Sequence, residues 1–125
     1  MEIISTEAAP EALGPYSQAI KVNGFVWCSG QIPIDPATGT IHADGIEAQA
    51  RQAIHNLSAV LQAAGSGLDK VVKTTVFIRH IDDFAALNAV YAEMFGAAKP
   101  ARSCVEVSAL PKGALVEIEA IAAVE

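Results

Sequence analysis

The stretch that decides the fold runs from Ile46 to Arg79 and reads IEAQARQAIHNLSAVLQAAGSGLDKVVKTTVFIR. Its first half places apolar residues at helical spacing on one face, and Gly65 ends that pattern. Its second half, residues 70–79, is rich in β-branched side chains and predicts a strand. An amphipathic helix followed directly by a strand indicates a helical layer packed on a sheet.

The segments on either side complete the order ββ-α-β-α-ββ. Upstream, Asn23-Gly24 predicts a two-residue hairpin turn, because both residues tolerate a positive φ. Downstream, Asp82-Asp83 is expected to cap a second amphipathic helix that Gly96 ends. The other predicted elements are that helix at 84–95 and strands at 17–22, 25–29, 101–107 and 115–124, with or without a short strand at 2–6.

These elements predict an α+β two-layer sandwich in a single domain over residues 1–125. Both helices are expected on one face of a mostly antiparallel sheet. Along the last strand, Val116 and Ile118 point towards the helices, while Glu117 and Glu119 alternate with them on the other face. The chain is 52% apolar, with a mean hydropathy of +0.36. A mixed face in such a chain suits a subunit interface that contains a polar site.

The charge balance and the termini exclude several classes of function. There are 8 basic and 14 acidic residues, a net charge of −6 and a pI near 4.9, which disfavour a nucleic-acid partner. No apolar run approaches the roughly 20 residues that span a bilayer, so no membrane partner is expected. The first residues do not resemble a signal peptide, and two cysteines are too few for a disulfide framework, so we expect a cytoplasmic protein.

Motifs for metals and cofactors are missing from the sequence. His42, His55 and His80 show no metal-ligand spacing with one another or with the cysteines. There is no phosphate loop, dinucleotide fingerprint or G-x-S-x-G elbow. A reaction without metal or cofactor, or binding alone, is therefore expected.

Arg102 is the first candidate for chemistry, because an acidic chain needs a local cation to hold an anion. In an extended strand it shares a face with Cys104 and Glu106. Its planar fork suits a substrate carboxylate, but it equally suits a structural ion pair with Glu106, Glu117 or Glu119. Spacing alone leaves both interpretations open.

Glu117 is the second candidate, as a group that directs a water or passes a proton. If the last two strands pair as a hairpin with Cys104 opposite Glu117, then Arg102 lies opposite Glu119 and all four share one face. Glutamates on strands also commonly just face solvent. No histidine is placed by sequence to activate Cys104, so its backbone is expected to matter more than its sulfur.

Two short segments offer further contacts. Gly14-Pro15-Tyr16 places a phenol on a rigid turn, where it either closes a pocket or simply packs. Ser29-Gly30 ends a strand with a glycine, which lets a ligand or another backbone approach closely.

Taken together, several segments resemble the signatures of the Rid family, the reactive intermediate deaminases, also called the YjgF family. The resemblance spans nearly the whole chain in family order. The matching segments are GPYSQA at 14–19, SGQIP at 29–33, VKTTVFI at 72–78, PARSCVEV at 100–107, LPKG at 110–113 and VEIEA at 116–120.

The resemblance implies a chorismate-mutase-like fold assembled as a homotrimer, with three sites in the clefts between subunits. It implies cofactor-free hydrolysis of 2-iminopropanoate, 2-iminobutanoate and their enamine tautomers, which pyridoxal-phosphate-dependent dehydratases release, to 2-oxo acids and ammonia. By position, it implies that Arg102 binds the substrate carboxylate and that Glu117 orients or activates water. Further contacts implied in the same way are Tyr16, Ser29, Gly30, Asn88 and the backbone of Cys104.

The chain departs from the family pattern at the connector 96–100, which is short and carries Lys99 where the best-known imine deaminases tend to have an aromatic residue. This departure affects the rim of the cleft and therefore which substrate side chain the site prefers. Three alternatives stay open. One is a trimer that binds small acids, or acts as a ribonuclease or translation inhibitor, without imine deaminase activity. The second is a chorismate-mutase-type enzyme, whose dicarboxylate substrate would need several convergent cations, of which only Arg102 is well placed. The third is a purely structural oligomer.

Overall fold

The computed structural model describes residues 1–124. Its elements are the strands β1 (Glu2–Ile4), β2 (Ala19–Val22), β3 (Phe25–Gln31), β4 (Val71–Ile78), β5 (Ala101–Glu106) and β6 (Val116–Ala123), and the helices α1 (Gly45–Ala63) and α2 (Phe84–Phe95). The six strands form one sheet in the order β1-β2-β3-β6-β4-β5. All neighbours pair antiparallel except β4 and β5, which are parallel.

The two helices pack on one face of this sheet, which confirms the predicted α+β sandwich. Leu57 of α1 and Leu87 of α2 are fully buried against alternate residues of the central strands, including Val76 and Ile118. Burial of each such aliphatic side chain stabilises the fold by about 1.5–3 kcal/mol. The helices therefore pack on β4 and β6. Strand β6 carries Glu117, and β4 pairs with β5, which carries Arg102.

The first hairpin follows the predicted turn. Asn23 and Gly24 have φ of 52° and 80°, the positive values that a tight two-residue connection requires. The optional strand at the N-terminus is present as β1 and pairs with β2.

The last two strands do not form the hairpin that the sequence suggested. Instead β4 lies between them, with Arg102 opposite Thr74 on one side and Glu117 opposite Phe77 on the other. The physical reason is α2, which connects β4 to β5. A strand–helix–strand unit in one sheet returns its second strand parallel to the first, so β5 occupies the outer edge beside β4.

This pairing separates the two main candidates. Thr74 is fully buried under the helices, and Phe77 is three residues further along the same strand. Because side chains alternate along a strand, Thr74 and Phe77 point to opposite faces, and so do their neighbours Arg102 and Glu117. The prediction that Arg102, Cys104 and Glu117 share a face is therefore wrong.

The face away from the helices, called the open face below, carries apolar side chains that nothing covers within residues 1–124. Trp27 is 50% exposed and Val105 is 45% exposed. Glu117 and Glu119 lie on this face among them, as the alternation along β6 predicts. No helix in residues 1–124 is long and apolar enough to cross a membrane.

Candidate functional site

Glu117 lies directly over Gly30 on the open face. A β-carbon built at Gly30 would stand 2.0 Å from Glu117 Oε2, so the carboxyl occupies the space that any other residue would need. The pairing of β3 with β6 is irregular between Cys28 and Gln31. A bulge of this kind changes the direction of a strand locally. It brings the Ser29-Gly30 segment beside the carboxyl.

The environment of Glu117 favours its protonated form. Burial is the main cause that raises the pKa of this half-buried carboxyl above its usual value, and the negative charge of Glu119 adds to the effect. A carboxyl with a raised pKa is a stronger base when ionised and can both accept and return a proton. The arrangement therefore suits proton transfer better than an exposed strand glutamate would.

Ser29 ties the N-terminal segment to this part of the sheet. Its hydroxyl donates to the Ser17 carbonyl at 2.6 Å, and its N–H donates to the Gln18 carbonyl at 2.9 Å. Tyr16 immediately precedes these residues and is 55% exposed, so its ring is not part of the core. The structure thus brings Ser29, Gly30 and Glu117 together, with the Tyr16 segment alongside.

Arg102 lies on the helix-facing side of β5, under α2. Its Nη1 donates to Asn88 Oδ1 at 2.7 Å. Its guanidinium carbon is 4.7 Å from the centre of the Tyr91 ring and 5.4 Å from that of Phe84, both within cation–π distance. Tyr91 is held in turn by a 2.8 Å hydrogen bond to the buried Thr74 hydroxyl. The guanidinium fork is therefore oriented before any ligand arrives.

No carboxylate of residues 1–124 pairs with Arg102. The ion pairs in that part of the chain are Arg51 with Glu93 and His42 with Asp35. The interpretation of Arg102 as a structural ion pair thus finds no support in the described residues. The oriented fork stays available to an external anion.

A cavity of about 320 Å³ opens beside Arg102. Asn88, Tyr91 and Phe95 from α2 line it together with Lys99 and Arg102. Asn88 was expected only through the family resemblance, and the aromatic side chains that line the cavity were not expected as part of a site. The signal was present, because residues 84, 88, 91 and 95 follow the i, i+4, i+7, i+11 spacing of one helix face.

A second concave region, of about 480 Å³, lies on the open face and is lined in part by Ser29, Thr75 and Glu119. Lys73 also lines it and donates to the Ser103 hydroxyl at 3.2 Å. Glu117 is not part of this lining. On one chain, then, the concave surface and the candidate carboxyl do not coincide.

Cys104 shares the face of Arg102 and is half-buried. Burial raises the pKa of its thiol, and the nearby Arg102 charge offsets this only in part. A thiol with a raised pKa is a weak nucleophile at neutral pH. Since β5 ends the sheet order, one edge of Cys104's strand has no strand partner within residues 1–124, which leaves backbone groups free to bind a ligand.

Among the described residues, the candidates form neither a metal site nor a pair of a nucleophile and its base. Within residues 1–124, no group of three or more His, Cys, Asp or Glu side chains is placed to hold a metal ion. The candidate residues fall into two sets on opposite faces. The first set is Arg102, Asn88 and Cys104, and the second is Glu117, Gly30 and Ser29. Tyr16 precedes Ser17, whose carbonyl accepts from the Ser29 hydroxyl.

Comparison with known proteins gives consistent matches over nearly the whole chain. Residues 6–124 match the family model described as Endoribonuclease L-PSP. A Salmonella typhimurium protein named 2-iminobutanoate/2-iminopropanoate deaminase is 51% identical over 122 residues, which cover 95% of this chain and 94% of the relative.

Two solved structures are similar to this chain over nearly its whole length. YyfA of Yersinia pestis, described as a protein of unknown function of the conserved Rid protein family, superposes with a TM-score of 0.95 at 56% identity, covering 98% of each chain. Escherichia coli TdcF, solved with bound serine, superposes with a TM-score of 0.94 at 44% identity, covering 100% of each chain.

Proposed function

This chain belongs to the Rid (YjgF) family, and on that premise we propose that it hydrolyses small 2-imino and 2-enamino acids to 2-oxo acids and ammonia. The expected substrates include 2-iminopropanoate and 2-iminobutanoate. The deaminase name of the Salmonella relative supports this chemistry. The structural observation that carries the proposal is Arg102, a pre-oriented guanidinium with no carboxylate partner in residues 1–124.

The proposed site lies between two subunits of a homotrimer. Because Arg102 and Glu117 point to opposite faces of one sheet, a single chain does not present both to a small substrate. The apolar open face offers a surface against which a second subunit can pack. One subunit then supplies Arg102, Asn88 and the Cys104 backbone. Its neighbour supplies Glu117, Gly30, Ser29 and Tyr16.

The chemistry needs only positioning and one proton carrier. Arg102 binds the substrate carboxylate through a charge-assisted bidentate contact. The protonated imine carbon is already electrophilic, and Glu117 accepts a proton from the water that adds to it. Glu117 then passes that proton to nitrogen and takes the proton of the new hydroxyl as the C–N bond breaks, so ammonia leaves and the 2-oxo acid remains. Gly30 keeps a side chain out of the space where the carboxyl and water meet.

A coupled assay tests the reaction. A dehydratase generates the imine from serine or threonine, and its decay is followed with and without this protein. A charge-assisted contact contributes about 1.5–3 kcal/mol, so Arg102→Ala should slow imine decay by roughly ten- to a hundredfold or more. Arg51→Ala, which removes an exposed pair with Glu93, is the matched control and should leave the rate unchanged. A folded Arg102→Ala trimer with full activity would refute the role of Arg102.

The shared site has its own test, by mixing variants. Trimers assembled from Arg102→Ala and Glu117→Gln chains contain some clefts whose two halves are both intact. In a random mixture about a quarter of the clefts are intact, so about a quarter of the wild-type activity should return. A site contained within one chain predicts no recovery at all.

Binding of small acids without turnover is the second candidate, favoured by the relative solved with bound serine. It predicts that serine binds in calorimetry while imine decay stays at the spontaneous rate. Ribonuclease activity, suggested by the description of the family model, is less consistent with a chain of net charge −6.

A further inference from the structure

The cavity beside Arg102 is lined by a second cationic side chain, Lys99, that imine hydrolysis does not require. Lys99 lines it at the end of the short connector, just after the 3-10 turn Gly96–Ala98. Its φ and ψ of 41° and 60° are left-handed, a conformation uncommon for residues other than glycine. Pro100 follows and restricts the backbone further. The connector therefore fixes the backbone position from which Lys99 lines the cavity.

The charged side chains that line this cavity are all positive. Its lining contains Lys99 and Arg102 but no aspartate or glutamate. Within residues 1–124, neither cation has a carboxylate within ion-pair distance. Two unpaired cations at one small cavity repel each other, and in a chain of net charge −6 they create a local positive field. An anion with two separated negative groups would satisfy both.

We propose that Lys99 selects substrates that carry a second carboxylate, namely 2-imino acids with an acidic side chain such as 2-iminosuccinate and 2-iminoglutarate. This inference rests on the proposed imine hydrolysis. The α-carboxylate binds Arg102 and the distal carboxylate binds Lys99. Water adds across the C=N bond and the C–N bond breaks, so 2-iminosuccinate and water give oxaloacetate and ammonia. On the single chain the cavity of about 320 Å³ has room for a four- or five-carbon acid.

From sequence only Arg102 was well placed to bind a dicarboxylate, and in the structure Lys99 lines the same cavity. Such imines arise when the C–N bond of an acidic amino acid is oxidised. An amino-acid oxidase or dehydrogenase is therefore the class of reaction that must supply this substrate.

The test compares kcat/KM for two imines formed in the assay, 2-iminosuccinate from aspartate by an aspartate oxidase and 2-iminobutanoate from threonine by a dehydratase. Lys99→Met should lower the preference for 2-iminosuccinate by about three- to tenfold, because it removes a partly exposed charge contact. Lys99→Arg should restore the preference. Lys112→Met is the matched control, since Lys112 is also an exposed lysine with a positive φ (58°) but lies outside the cavity.

A binding measurement separates this inference from the proposed reaction. Titration with the stable products 2-oxoglutarate and 2-oxobutanoate should show Lys99→Met weakening only the dicarboxylate. Equal effects on both acids, or none on either, would overturn the role of Lys99 while imine hydrolysis stands. Failure of the wild-type protein to hydrolyse either imine would instead overturn the proposed function, whatever residue occupies position 99.

Discussion

Replacement of Gly30 by alanine should disable the protein by displacing the Glu117 carboxyl. The new β-carbon would stand 2.0 Å from Oε2 and 2.8 Å from Cδ of Glu117. Gly30 does not have a positive φ, so the alanine backbone itself is unstrained. To reach an ordinary contact of 3.4 Å, the oxygen must retreat by about 1.4 Å. A misplacement of about 1 Å can cost on the order of a hundredfold in rate.

We therefore expect Gly30→Ala to lower kcat for 2-iminobutanoate by about a hundredfold. KM should change little, because the carboxylate contact belongs to Arg102. The matched control is Gly67→Ala, whose backbone is extended and whose added β-carbon would lie 2.8 Å from Asp69 Oδ1. It displaces a carboxylate in a comparable way but lies outside both cavities, so its rate should stay at the wild-type value.

Two results would contradict this reasoning. A folded Gly30→Ala protein with a rate within a few-fold of wild type would show that the position of Glu117 does not limit turnover. The second test uses a double variant. If the glycine acts through Glu117, then Gly30→Ala should cost little more once Glu117→Gln is present. An equal loss in both backgrounds would assign the effect to another group.

Three further predictions follow from the same contacts. Cys104→Ala should keep activity within about twofold, because the raised pKa of the thiol makes it a poor nucleophile; a large loss would restore a role for the sulfur. Glu119→Gln removes a charge that raises the pKa of Glu117, so the acidic limb of the pH–rate profile should move to lower pH, and an unmoved limb would count against Glu117 as the base. Thr74→Val should lower the free energy of unfolding in urea by about 1–3 kcal/mol, because it leaves the buried Tyr91 hydroxyl without its partner. Thr74→Ser keeps the hydroxyl and loses only a buried methyl, so it should leave the Tyr91 hydroxyl paired and cost about 1 kcal/mol.

The spacing of apolar residues along the sequence was enough to predict the helices and strands and which residues of β6 share a face. Helix α1 was expected from Ile46 to Ala64 and spans Gly45–Ala63, because its apolar spacing is strong and Gly65 ends it. Glu117 was correctly placed on the face away from the helices, since alternation in a strand is purely local.

Strand pairing was the part that local pattern did not predict. Two strands joined by Pro111-Lys112-Gly113 look like a hairpin, yet β5 pairs with β4 through a connection that spans α2. Pairing depends on contacts distant in sequence, and a helix between two strands was the available clue. That error placed Arg102 and Glu117 on one face, whereas their actual positions on opposite faces support the site between subunits that the family resemblance implied.

The position of β6 also constrains how the chain can be made. Of the six strands in residues 1–124 it is synthesised last, yet it lies between β3 and β4 in the sheet. Until it arrives, both of those neighbours present unpaired edges, which are prone to aggregate with other chains. A nascent or C-terminally truncated chain can thus form the β1–β3 meander and the β4–α2–β5 unit but cannot join them.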